Sequence, residues 1–136
     1  MNTRRLAGPL FALALTGSFL TACGGEDQSA VCDDVDDLRT SLTSLQAFDV
    51  YDPNVLSDLS VVLDQIRSQV RTLAEDASSE YDAEVDVVQT SIDDLEASAQ
   101  AAVAAPTAAA LATLADDVKG FSAAFKDLRT AVGDTC

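Results

Sequence analysis

Apolar residues recur at alternating steps of three and four through four stretches of this chain. The first runs Val31, Val35, Leu38, Leu42, Leu45. The second runs Leu56, Leu59, Leu63, Ile66, Val70, Leu73, Ala77, and the third Tyr81, Val85, Val88, Ile92, Leu95, Ala99. The fourth runs Leu111, Leu114, Val118, Phe121, Phe125, Leu128, Val132. Such spacing puts each set on one face of an α-helix, with the intervening polar residues facing water. Four amphipathic helices are predicted.

Their ends carry local signals. Ser29 is the expected cap of the first helix, and Asp33, Asp34, Asp36 and Asp37 are expected in its first turns, where carboxylates suit the positive end of the helix dipole. That helix should end near Phe48, before a turn over residues 49–54. Asp52-Pro53 reads as the next start, with an aspartate cap and proline at the first helical position. Ser79 with Asp82 is an acidic variant of the capping box. Pro106 ends the third segment. Gly133 is a natural stop for the fourth, with Lys126 and Arg129 in its last turns.

Residues 77–81 are the weak joint. They hold no proline or glycine, so one long continuous helix through 77–81, and a three-segment chain, remain open. Four helices bury all four stripes, however, whereas a double-length middle helix leaves its far half without a partner. The expected fold is all-α: an antiparallel up-down-up-down four-helix bundle.

Ahead of the stripes lies a different kind of sequence. Arg4 and Arg5 precede a mostly apolar run, Leu6 to Leu20, interrupted by Gly8, Pro9 and Gly17. A basic start and a short apolar middle make a secretory signal peptide, too short and interrupted for a spanning helix of ~20 residues. The run closes on Leu20-Thr21-Ala22-Cys23-Gly24. This resembles the lipobox of bacterial lipoproteins. The resemblance covers residues 1–24 and implies cleavage after Ala22, with Cys23 becoming an acylated N-terminus bearing diacylglyceryl and palmitate-type chains. It implies 1–22 as signal peptide, 23–29 as lipidated cysteine and tether, and 30–136 as the bundle domain. The implied location is the extracytoplasmic face of the cell membrane, with the membrane as partner through the anchor. Two acyl chains hold a protein stably where one holds it marginally. A tether of six residues, Gly24 to Ser29, reaches about 20 Å at most.

That assignment changes the cysteine arithmetic. With Cys23 lipidated, Cys32 and Cys136 are an even pair in an oxidising compartment. An up-down-up-down bundle brings the start of its first helix and the end of its fourth to one end, so a terminal disulfide between them is expected. Metal binding competes for the same two thiols, but without histidine a zinc site is short of ligands.

Charge narrows the partners. The net charge is −15; with Arg4 and Arg5 removed, six cations face 23 acids, giving −17. Phosphate binding needs a basic surface, so nucleic acid is excluded as a partner. Anionic lipid likewise repels the domain itself.

Candidate chemistry is sparse. With no histidine in the sequence, Ser-His-Asp and Cys-His arrangements are excluded, and no glycine-rich phosphate loop is present. Asp58, Asp64, Asp86, Asp93, Asp94, Asp116 and Asp117 fall beside the stripes and read as solvated faces. The alanine-rich run 97–112 reads as a close helix–helix turn in preference to a ligand groove. Phe48 and Tyr51 form a candidate contact patch, although turn aromatics more often cap a core. No catalytic residues, metal site or cofactor are expected. The mature part also resembles the small secreted helical proteins of high-GC Gram-positive bacteria, a pattern-level likeness that carries no activity. The expected function is a lipid-anchored structural or protein-interaction role; the alternative is a binding protein for an apolar or cationic small molecule held between helices.

Overall fold

The computed structural model describes residues 25–52, 55–77, 79–134 and 136. Among the described residues four helices follow one another: α1 Gly25–Gln46, α2 Leu56–Asp76, α3 Asp82–Ala104 and α4 Ala108–Val132, with a short 3-10 turn, Ser79–Tyr81, leading into α3. Each packs on the next, and α4 closes back on α1. Cross-links fix the antiparallel order. Cys32 meets Cys136, Gln65 Nε2 donates to Ser41 Oγ at 3.4 Å, and Arg67 reaches Glu96 at 2.7 Å. This is the expected up-down-up-down bundle.

The four stripes meet in one core. Every stripe residue is buried except Ala77 and Val118, which are half-buried against it. Among the described residues Phe121 is the largest side chain fully out of water, and it shares this core with Leu38, Leu45, Ile66, Leu95 and Leu128. Two serines are buried with them. Ser98 Oγ donates to the Leu95 carbonyl at 3.0 Å, and Ser41 accepts the Gln65 bond, so neither hydroxyl is left without a partner.

The joint at 77–81 breaks. Ala77 leaves the helical backbone at φ −66°, ψ 134°, its N–H still donating to the Leu73 carbonyl at 2.8 Å. The long-helix alternative is thereby excluded. The expected capping box does not form: the residue at the cap position of α3 is Tyr81, with no side-chain cap, and Ser79 lies in the 3-10 turn. Tyr81 is itself buried, and covering the α2–α3 corner with its ring holds the chain there.

Two further starts differ from expectation. α1 begins at Gly25, so Ser29 lies inside it and the stretch expected as a tether is helical from residue 25. That stretch holds no proline, and Glu26 and Gln28 within it favour helix. Asp33 to Asp37 are consequently the ninth to thirteenth residues of α1. They sit beyond the first turn, to which the dipole's influence is confined. α2 begins at Leu56, not at Asp52-Pro53; Pro53 and Asn54 lie outside the described residues. Asp49 instead builds a turn, accepting the Asp52 N–H on its carbonyl at 2.9 Å and the Tyr51 N–H on its side chain at 3.1 Å.

The α3–α4 corner forms as Pro106 requires. Ala105, the residue before proline, is extended at φ −149°, ψ 92°. Thr107 then caps α4, its hydroxyl accepting the Ala110 N–H at 3.2 Å. At the other end Gly133 terminates α4 in a right-handed conformation, φ −61°, so its role there is to stop the helix without a left-handed turn.

α1 is short at its far end. Gln46, its last residue, donates to Ser122 Oγ at 3.2 Å, and α4 runs on from Ser122 back to Ala108, fourteen residues or about 21 Å beyond. The linker 47–55 leads from Gln46 to α2, which by the Gln65–Ser41 register overhangs α1 by four residues, about 6 Å, and its Val50, a position off the heptad pattern, is buried in the core at 8% exposure.

Phe121→Ala is expected to cost about 3–5 kcal/mol in urea unfolding. Val61→Ala, at an exposed position of α2, should stay within ~0.5 kcal/mol. Equal effects of the two would contradict the core as described.

Candidate functional site

Three regions concentrate the chemistry that the fold assembles. At one end α1 and the chain terminus are joined by the Cys32–Cys136 disulfide, with the Cα atoms 5.6 Å apart and a sequence separation of 104. That distance suits a disulfide without backbone movement. Cys32 lies in the third turn of α1, not at its start, so the helix rises about 10 Å from Gly25 before it reaches the bridge. Cys23 lies outside the described residues.

Beside the bridge, two helices bring carboxylates together. Asp34 of α1 faces Asp76 at the end of α2, with Asp33 and Asp37 nearby. Burial first, and then the Asp76 charge, raise the Asp34 pKa from 3.8 to about 6. Asp34 Oδ2 is enclosed and has no hydrogen-bond donor among the described residues. A proton on Asp34 resolves this, because the carboxyl then donates to Asp76. The sequence placed these acids on the helix dipole. The pairing with Asp76 was hidden because it depends on which turn of α2 lies opposite α1.

At the far end the expected contact patch divides. Val50 turns inward. Phe48 is half-buried, and Tyr51 is 60% exposed. Tyr51 lies close to Lys119 of α4, whose pKa is raised, first by its 2.9 Å hydrogen bond to Asp116 and least by Tyr51. Phe48 and Val50 thus do the capping, and Tyr51 alone is presented to solvent.

The third region is a groove between α2 and α3. It has a volume of about 340 Å³ and runs from Leu56 and Val103 at its open end toward Arg67 and Glu96. Its floor is apolar: Leu56, Leu63 and Ala99. The alanine-rich run contributes here as well as to the turn, since Ala99 and Ala104 are too small to close the space between the helices. Arg67 bridges the groove, donating to Glu96 Oε2 at 2.7 Å and approaching Asp93 at 3.9 Å. Glu96 is the most enclosed member, its side chain only 14% exposed, and its second oxygen has no donor among the described residues. Of the flanking aspartates singled out in the sequence, Asp64 lines this groove and Asp117 is half-buried; the others are exposed. Glu96 escaped notice because it sits one step off the stripe.

Among the described residues no group of three or more carboxylates or thiols is placed to hold a metal ion, and no helix is long and apolar enough to cross a membrane. Compared with known protein families, curated proteins and solved structures, the chain matches none.

Two outcomes follow. Reduction of the disulfide should lower stability by about 3–4 kcal/mol, below the ~4.7 kcal/mol chain-entropy ceiling for a loop of about 100 residues; a loss under ~1 kcal/mol would show that the bridge does not constrain the unfolded chain. For Asp34, the folded pKa lies above the unfolded one, so this group's contribution is greatest below pH 3.8 and is lost as pH rises through about 6. Asp34→Asn should flatten the pH dependence of the melting midpoint across that window. It should also raise the midpoint at pH 7.5 by roughly 4 °C, the effect of ~1 kcal/mol in a domain of this size.

Proposed function

We propose that the protein is a non-enzymatic, lipid-anchored module on the outer face of a cytoplasmic membrane, carrying a helical domain that engages another protein. One observation supports this above the rest. Cys32 and Cys136 are bonded to each other, which leaves Cys23 as the odd cysteine, directly after Leu20-Thr21-Ala22. An unpaired thiol in an oxidising compartment needs an occupation, and the lipobox resemblance supplies one.

The geometry of α1 fits such an anchor. It begins two residues after Cys23, so acyl chains there would hold the bundle through a stiff helical overhang of about 10 Å. Charge favours that stand-off, because an acidic domain is repelled by anionic headgroups. The disulfide then braces the bundle end nearest the bilayer, where the anchor transmits any pull. The opposite end, with the 47–55 linker and its exposed Tyr51, is turned outward and is the natural place for a protein partner. The missing histidine and the solvated acids supply no catalytic arrangement for such a domain.

Cys23→Ala, expressed in a bacterial host, should yield precursor that retains residues 1–22 and carries no acyl mass. Membrane-bound, cleaved Cys23→Ala protein would contradict the anchor.

A further inference from the structure

The α2–α3 groove has the features of a ligand site rather than of a packing fault. Its volume, about 340 Å³, lies within the range of small-molecule pockets, and its apolar floor ends in a charged group. The charges around it do not balance. Asp64 and Glu96 line it against one lining cation, Arg67, on a chain whose net charge is −15. Glu96 is the focus. One of its oxygens takes the Arg67 bond; the other is enclosed without a donor. A half-satisfied carboxylate at an enclosed position is costly, and a hydrogen-bond donor brought to it is correspondingly favoured.

We propose that this groove binds a small organic cation: a primary ammonium on an apolar body, the ammonium directed to Glu96 and the body laid over Leu56, Leu63, Ala99 and Val103. Charge complementarity selects the sign. The excess of carboxylates attracts a cation and repels an anion of equal size. The ammonium brings three donors to a carboxylate that has one oxygen unserved, and it shares Glu96 with Arg67 once the carboxylate turns toward the groove. The apolar body displaces water from the floor. Val103, more than half exposed at the open end, is the apolar side chain with most to gain from being covered. The site is independent of the proposed lipid anchor, since none of its residues lies near Cys32 or the chain termini.

The test is an amide-resolved NMR titration of the full-length protein with n-hexylammonium, run beside n-hexanoate and n-hexanol. Hexylammonium is expected to shift the amides of Leu56, Ser60, Ala99 and Val103 along saturating curves, with hexanol weaker and hexanoate non-saturating. Glu96→Gln should weaken hexylammonium binding by about tenfold, the discrimination that one charged hydrogen bond supplies. Ser60→Phe, which lays a ring across the groove from an exposed helix position, should abolish it while circular dichroism shows the helices unchanged. Equal binding of the cation and the anion would overturn the proposal. So would full affinity in both variants, or shifts scattered over the acidic surface without saturation.

Discussion

Between Leu73 and Tyr81 the chain must reverse without a proline or a glycine, and the rest of the bundle depends on that reversal. Ala77 takes an extended conformation, a 3-10 turn follows, and buried Tyr81 covers the corner. Were α2 to continue, the stripe from Val85 to Ala99 would face water with nothing to pack on. Local propensity on its own favours the continuous helix through Ala77. Burial of a whole stripe outweighs it, because each large apolar side chain taken from water contributes about 1.5–3 kcal/mol while one broken turn costs far less.

Tertiary burial of this kind is why the stripes were legible in the sequence and several ends were not. Heptad spacing marks the inward face whatever its neighbours, so Leu38, Ile66, Leu95 and Phe121 were identifiable as core from position alone. Caps depend on where a helix starts. Ser29 and Ser79 carry the right chemistry in places where the backbone is already turning, whereas Thr107, directly after Pro106, caps α4 as its position three residues before Ala110 allows. Val50 was invisible to periodicity because it is buried by a linker, and it is buried because α1 ends far short of α4. The two enclosed carboxylates, Asp34 and Glu96, were hidden for a related reason. Each sits one residue off its stripe, and its environment is set by a residue on the adjacent helix, Asp76 in one case and Arg67 in the other.

The two ends of the bundle differ in character. The bridged end collects like charges, Asp33, Asp34, Asp37 and Asp76, and tolerates them partly through a covalent tie that ordinary packing would not replace. Toward the open end the helices carry small side chains, and space remains between α2 and α3. A domain tied firmly at one end and loosely filled toward the other suits the proposed arrangement, in which the braced end takes the load of an anchor and the free end meets a ligand or partner. The link between the ends is the cysteine count: pairing two thiols within the fold is what leaves the third for another purpose.

That count is open to direct measurement by non-reducing peptide mapping of the protein expressed in a bacterium with its first 24 residues intact. The peptide containing Cys32 should be recovered linked to the peptide containing Cys136, with Cys23 in neither. Recovery of Cys23 in a disulfide with either of the others would contradict both the closure of the bundle described here and the function proposed from it.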